Sequence, residues 1–277
     1  MSFGGSAGLL RAAGALGLLA IATAAANAGG FALREQSSYG QGSSFAGVAA
    51  GGDLSSMFWN PATMTQAPGI QIETVGTAII PSAKHTVTSG TFSILGGTGD
   101  SANDALVPAG YASWQVNRDL WLGLAINSPY GLSVSFPDVW AGRNYAGDTT
   151  LRSYNFTPSI AYQINNWLSV GAGVQFQYAK ADLSTGLPIN SFGLPPGLGN
   201  QLDISGHGWG YGFTAGITVT PTPTTTIGLG YRSTINQKIS GTLTLPPGPV
   251  FSPPFSTPGD VSTTLNLPDV VSLGLRQ

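Results

Sequence analysis

The sequence predicts an all-β chain: a transmembrane antiparallel β-barrel, about eight of its strands present, carrying an N-terminal plug. Three observations carry that prediction. Of 277 residues only 8% are charged, while 40 are glycine and 19 proline. Soluble domains carry roughly 25% charged residues, so this surface is not built mainly for water, and the glycine and proline argue for turns rather than helices. Beyond residue 28 no apolar run reaches the length of a spanning helix, although mean hydropathy is +0.15. In place of such runs the chain alternates apolar and small polar residues over stretches of about 9 to 11, the length of a tilted strand crossing hydrocarbon.

Residues 1–28 read as a secretory targeting segment. Arg11 supplies the positive charge, residues 12–25 are an Ala- and Leu-rich run, and Ala26-Asn27-Ala28 fits a small-x-small cleavage site. The run falls short of the roughly 20 apolar residues a membrane anchor needs, so the mature chain is expected to begin near Gly29, outside the cytoplasm.

Residues 29–68 do not alternate. They are rich in Gly, Ser and Ala, and they hold Met57, Phe58 and Trp59 side by side before Asn60 and Pro61. Asn60 can cap a short helical turn, with Pro61 preset for its first position. Leaving three adjacent large apolar side chains in water is costly. The segment is therefore expected inside the barrel as a plug, the alternative being a disordered tail.

Residues 69–277 supply the strands. In residues 168–178 the even positions are Leu168, Val170, Ala172, Val174, Phe176 and Tyr178, against Ser, Gly and Gln at the odd ones. Residues 209–219 repeat the pattern with Trp209, Tyr211, Phe213, Ala215, Ile217 and Val219. Residues 120–126, 154–164 and 227–235 behave alike, and the last strand is expected over residues 270–275. The small polar face lacks the Lys and Glu that solvate a soluble sheet, as suits a lumen with a lipid-facing exterior. Trp114, Trp121, Tyr154, Trp167, Tyr178 and Trp209 stand near strand ends, where an interfacial girdle belongs. Tight turns at Asn117-Arg118, Asn165-Asn166 and residues 221–224 alternate with long connections over residues 82–106, 129–152, 183–206 and 241–262. Short inner turns and long outer loops are the asymmetry of such barrels. The third strand runs into Asn127-Ser128-Pro129-Tyr130-Gly131, where a proline without a donor and a loose glycine predict a bulge or break. The alternative is that Pro129 starts an outer loop.

These features exclude several functions. A net charge of −2 speaks against nucleic acid, and without cysteine there is no thiolate chemistry. The two histidines, His85 and His207, have no acidic partner at a telling spacing, and the G-x-S-x-G of residues 4–8 lies in the targeting segment. The glycines of "GAGVQF" and "GLGYRS" sit on strand faces and make no phosphate loop. No enzyme, metal or cofactor is expected.

The stretch "GGFALREQSSYGQGSSFAGVAAGGDLSSMFWNPATMT" resembles the N-terminal hatch of the FadL/TodX-type (OMPP1) outer-membrane transporters. The resemblance continues through Tyr130-Gly131-Leu132, "AYQINNWLSVGAGVQFQYAKAD", "WGYGFTAGI", Tyr231-Arg232-Ser233 and "LNLPD". It implies a monomeric fourteen-stranded barrel in the outer membrane of a Gram-negative bacterium. It further implies passive uptake of long-chain fatty acids or hydrocarbons through outer-loop capture, a lumenal pocket, hatch movement and lateral exit into membrane lipid. The hatch motif would be Asn60, Pro61 and Ala62, touched by an inward-kinked third strand, so that Asn127, Pro129, Tyr130 and Gly131 form a lateral gate. Phe31, Leu33, Phe58 and Trp59 would line the pocket or anchor the plug. Arg232 and Arg34 are the candidate partners of a ligand carboxylate. For Arg232 the alternative is a bond to an acidic residue that fixes the hatch; for Arg34 it is a solvated surface position. The family's basic position aligns near Thr185, and the nearest cation, Lys180, lies on the other strand parity. Eight strands cannot house a plug of this size, so the chain is expected to be truncated at its C-terminus. A non-specific porin is the competing reading.

Overall fold

The computed structural model describes residues 30–90, 93–137, 140–143, 146–186, 201–245 and 259–277. The expected targeting segment, residues 1–28, lies outside them, as do the centres of two long connections. Residues Phe31–Gln277 form one compact unit. Its strands are β1 (Ile70–Ile79), β2 (Lys84–His85), β3 (Gly99–Asp100), β4 (Ala105–Gln115), β5 (Leu120–Asn127), β6 (Gly131–Val134), β7 (Thr149–Asn165), β8 (Leu168–Gly186), β9 (Gln201–Thr222), β10 (Thr225–Arg232), β11 (Ile235–Thr244), β12 (Gly259–Leu267) and β13 (Val270–Arg276). One antiparallel sheet follows the path β1-β4-β5-β7-β8-β9-β10-β13, with β6, β11 and β12 paired off that path. β2 and β3 make a separate small hairpin within the first long connection.

Each strand keeps the period the sequence announces, because one face meets hydrocarbon and the other does not. On β7 the outward series Tyr154, Phe156, Ile160, Tyr162 and Ile164 is exposed, while Ser153, Asn155, Thr157, Ser159 and Ala161 are buried. Ten residue steps at ~3.3 Å, tilted by ~40°, span about 25 Å, the height of a barrel's apolar band. The band continues sideways through Val174 and Phe176 on β8, Phe213 and Ile217 on β9, and Leu273 and Leu275 on β13, all exposed. Trp114, Tyr154, Trp167 and Trp209 stand on this outer face. Trp121 does not: it is 2% exposed, and its indole N–H donates to the Ala67 carbonyl at 2.9 Å. It shares strand parity with buried Ala125 rather than with exposed Leu122 and Leu124, so it leaves the girdle and joins the core.

The tight turns are held by local side chains. Asn165 Oδ1 accepts from the amides of Trp167 (3.0 Å) and Leu168 (2.9 Å), an Asx turn. At the opposite end the strands run further than their alternation announces. β7 begins at Thr149, β8 reaches Gly186 and β9 starts at Gln201.

The expected continuous strand over residues 227–235 is broken at Ser233-Thr234. β10 meets β9 at Arg232↔Thr214, whereas β11 meets it at Ser240↔His207, one residue out of step. The extra residue flips the inward parity from Gly228 and Gly230 to Ile235, Gln237 and Ile239. β12 and β13 are interrupted at the same height, at Pro268-Asp269. Proline cannot extend the ladder, so the two strands bend together.

Candidate functional site

Residues 30–66 pack against the inner face of the curled sheet. They contain one short helix, α1 (Ser38–Gly42), and 3-10 turns at Val48–Ala50, Leu54–Phe58 and Pro61–Gln66. Asn60 is the N-cap of the last turn, with Pro61 at its start. The Asn60 side chain is fully buried and completely engaged. Its Oδ1 accepts from the Ala62 amide at 3.0 Å, and its Nδ2 donates to the carbonyls of Ala49 (2.8 Å) and Ile217 (3.0 Å). One side chain thus ties two turns of the segment to β9. Glycine on the wall makes that approach feasible. A Cβ at Gly171, Gly216 or Gly230 would lie within 3.0 Å of Ala62, Asn60 or Trp59 respectively, closer than a side chain tolerates.

The apolar knot forms a core with the wall. Leu54, Met57, Phe58 and Met64 cluster with Val75, Ala109, Tyr111, Trp121, Ala125 and Ala161, and Trp59 packs on the cluster's edge. Phe58 meets Trp59 edge-on with centroids 5.0 Å apart, and Phe45 lies 5.8 Å from Trp59. Burying such side chains contributes about 1.5–3 kcal/mol each, which holds the segment against the sheet.

Arg232 reaches into this core from β10. Its guanidinium donates to the Phe58 carbonyl at 3.0 Å and to Gln175 Oε1, and it sits 4.2 Å above the Phe58 ring. It grips the N-terminal segment through a carbonyl and an aromatic face, with no carboxylate in the contact among the described residues. Arg34 is exposed and lies 4.7 Å over the Phe45 ring. Lys180 is also exposed and pairs with Asp182 at 3.0 Å. Thr185 pairs with Leu202 near the loop end of the wall.

The strand break lies where Pro129 and Gly131 suggest. β5 pairs with β7 up to Asn127↔Asn155, and the ladder resumes at Gly131↔Arg152, so residues 128–130 face only residues 153 and 154. The Ser153 hydroxyl donates to the Tyr130 carbonyl (2.7 Å) and accepts from the Tyr130 amide (2.9 Å). On the other side β4 and β5 separate beyond Gly110↔Ile126. Residues 105–109 of β4 pair only with β1, and β6 pairs only with β7, until Ala102 bridges Val134. The wall therefore has an unpaired stretch between these two limits.

Residues 31–36 line the inner side of that stretch, in place of the expected Asn60, Pro61 and Ala62. Leu33 donates to the Pro129 carbonyl at 2.8 Å, Gly131 donates to the Phe31 carbonyl at 2.9 Å, and Ala32 bridges Tyr130. Gln36, fully buried, donates to the Ser128 carbonyl at 2.9 Å. Asn127 donates to the Tyr111 hydroxyl at 2.8 Å, and that hydroxyl donates to the Gln36 carbonyl at 2.6 Å. Residues 31–36 thus meet the kink, whereas Asn60, Pro61 and Ala62 meet Gly171, Gly216 and β9. The expectation that the kink touches the Asn-Pro-Ala motif is corrected. The short strand-like piece Phe31–Leu33 is the part with free backbone groups to pair.

A carboxylate pair fastens the same segment to β1. The Ser55 amide donates to Asp53 Oδ1 (2.8 Å) and to Glu73 Oε2 (2.9 Å). Burial pushes the Asp53 carboxyl up, but hydrogen bonds with Glu73 and Ser55 outweigh it and hold the group below the usual carboxylate range. Gln36, Tyr111, Gln175 and Glu73 were not singled out from sequence. The readable signal was Glu73, a lone charge on the lumenal parity of a spanning strand.

The family model described as "Outer membrane protein transport protein (OMPP1/FadL/TodX)" matches residues 19–277. The chain belongs to this family. Outer membrane protein P1 of Haemophilus influenzae is 33% identical over 178 residues, covering 59% of this chain and 39% of that protein. The long-chain fatty acid transport protein of Escherichia coli O6:H1 is 30% identical over 275 residues, covering 87% of this chain and 60% of that protein. The chain thus spans well under two thirds of these relatives' lengths. A Pseudomonas aeruginosa FadL homologue superposes with a TM-score of 0.72 at 23% identity, over 90% of this chain and 66% of that one. The Ralstonia pickettii toluene transporter TbuX gives 0.58 at 18% identity, over 81% and 63%. These structures share the fold. Family membership places the chain in the outer membrane of a Gram-negative bacterium.

Proposed function

We propose that the chain conducts hydrophobic molecules passively from the cell surface into the membrane. Residues 30–66 act as a movable stopper, and the unpaired stretch beside Asn127, Pro129, Tyr130 and Gly131 is the sideways exit. The observation that supports this most is the seal at the kink, where Phe31, Leu33 and Gln36 bond the backbone of residues 128–131. Such a seal breaks when residues 31–36 shift, without disturbing the β5–β7 ladder below it. A lateral exit suits the chemistry. An apolar ligand gains about 0.8 kcal/mol per buried CH₂, so it moves downhill from pocket to bilayer and needs no nucleotide. An aqueous pore would strand it.

The E. coli relative is named for long-chain fatty acids and the Ralstonia structure for toluene. The state of Arg232 favours recognition of the apolar part. Two of its five N–H donors already serve Phe58 and Gln175 and its face covers the Phe58 ring, so a ligand carboxylate would compete with the contacts that hold residues 30–66. Phe58 and Trp59 then serve as plug anchors, and Phe31 and Leu33 as the gate's stopper. Residues 1–28 serve export.

Uptake of a labelled long-chain fatty acid, of its methyl ester and of a monoaromatic hydrocarbon into cells lacking other uptake routes tests this reading. Deleting Pro129 removes the residue that β7 does not match and flattens the bulge beside the unpaired stretch, so uptake of all three should fall at least tenfold with the barrel still folded. Undiminished uptake would refute the sideways exit, and uptake of the acid alone would refute apolar recognition.

A further inference from the structure

The outward face carries no charge anywhere in the apolar band of β5, β7, β8, β9, β10 and β13. Moving toward the long-connection end, the aromatic row Tyr154, Tyr178 and Trp209 lies in mutual register. One side-chain step further along the same face comes the row Arg152, Lys180 and His207, again in register across β7, β8 and β9. His207 pairs with Ser240 of β11, and Lys238 lies one step from Ser240 on the same outward parity. All four basic side chains are exposed. With strands ~4.8 Å apart the row covers about 15 Å of wall. A chain with only ten Lys and Arg has placed two of them and one of its two histidines in this row, with Lys238 one step away at the level of Trp209.

The carboxylates near the row do not cancel it. Asp182 pairs with Lys180 at 3.0 Å and accepts from the Ser205 hydroxyl at 2.6 Å. Asp203 and Asp260 lie further toward the loops, opposite Ser184 and Thr242. Asp182 is shared between Lys180 and Arg152, so two basic groups face one carboxylate there, with Lys238 beside them. The ring of Tyr178 lies 5.9 Å from His207 and 5.4 Å from Trp209, so the aromatic level and the basic level form one continuous surface.

We propose that this row is a docking site for a phosphorylated lipid of the outer leaflet, its acyl chains on the apolar band and its phosphates on Arg152, Lys180 and Lys238. The height of the row assigns the occupant. In an outer-membrane barrel, side chains directly beyond the aromatic girdle on the loop side meet lipid headgroups, and guanidinium and ammonium groups bond phosphate through charge-assisted hydrogen bonds. A soluble anion would have no use for the apolar surface beneath. The row lies on the lipid-facing side of the wall, opposite the side that meets residues 30–66, and its Arg152 pairs with Gly131 at the edge of the strand break.

The test is binding of diphosphorylated lipid A to the purified full chain in neutral detergent, read by native mass spectrometry. The triple variant Arg152→Gln, Lys180→Gln, Lys238→Gln should weaken binding at least tenfold, and Lys84→Gln with Arg118→Gln should leave it unchanged. Lipid A stripped of phosphate should bind wild-type chain at least tenfold less, and millimolar inorganic phosphate should not displace the intact lipid. Should the triple variant fail to fold, raising salt from 50 to 500 mM should weaken the wild-type complex at least fivefold. Equal binding by the variant, equal binding of dephosphorylated lipid, displacement by free phosphate, or salt-independent binding would each overturn the proposal.

Discussion

Replacing Asn60 with Ala should release the hatch from the wall without unfolding the barrel. The side chain is fully buried and makes three hydrogen bonds, two as donor to the Ala49 and Ile217 carbonyls and one as acceptor from Ala62. Each buried group left without a partner costs about 1–3 kcal/mol, and loss of an N-cap alone costs about 1 kcal/mol. The carbonyls keep a second lone pair, so the low end applies to each, and the total comes to about 3 kcal/mol. At 1.4 kcal/mol per factor of ten, the opened hatch becomes about a hundredfold more populated. Hydrogen–deuterium exchange by mass spectrometry on protein in lipid nanodiscs reads that population directly. Peptides covering residues 47–66 should exchange about a hundredfold faster, with β8 and β9 peptides unchanged. Asn60→Asp, which turns a buried carboxylate oxygen toward the Ala49 and Ile217 carbonyls, should exchange at least as fast as the Ala variant. Unchanged exchange in residues 47–66 would refute the assignment of Asn60 as the tie between hatch and wall.

Three further outcomes follow from the same contacts. Arg232→Met removes the bond to the Phe58 carbonyl and leaves Gln175 without its donor; exchange around residues 54–60 should rise at least tenfold, while the ratio of acid to methyl-ester uptake stays near one. Gly216→Val places a side chain where Asn60 sits, so Trp59 fluorescence in a background with the other tryptophans replaced should shift to the red as the hatch is displaced. Because the Asp53 carboxyl is held below its ordinary range, its contribution to hatch docking is full above that range and is lost as pH falls through the lowered value. The Asp53 contribution should therefore be lost only below the ordinary carboxylate range, and Asp53→Asn should remove that part of the acid loosening, as measured by the thermal midpoint in detergent.

Much of the wall is legible in the sequence because its two environments differ so sharply. Residues 154–164 and 168–178 must put Tyr, Phe, Ile and Val on hydrocarbon, and no other period satisfies both faces. Trp121 shows where the reading slips. Nearness to a strand end suggested the girdle, although its parity with Gly123 and Ala125 already pointed inward. The break at Ser233-Thr234 has no proline or glycine to announce it, and the switch of inward residues from Gly230 and Arg232 to Ile235 and Gln237 carries the signal. The kink at Pro129 is readable because proline and glycine act locally. Its partner is not, since nothing local in Phe31, Leu33 or Gln36 distinguishes them from Asn60 as the residues that meet a strand about a hundred positions away. Arg232 stands out as a rare cation on a spanning strand, yet its acceptors are a backbone carbonyl and an amide, which leave no pattern of charge to find.

The central claim is that residues 31–36 must leave the strand break for transport to occur. Ala32 and Tyr130 are directly opposed across an antiparallel bridge, where Cα atoms stand ~4.5–5.5 Å apart, within disulfide reach, and the chain has no cysteine of its own. Uptake of a labelled long-chain hydrocarbon by Ala32→Cys, Tyr130→Cys protein should be abolished when oxidised and restored by reductant. Full uptake through the oxidised, cross-linked protein would contradict the account.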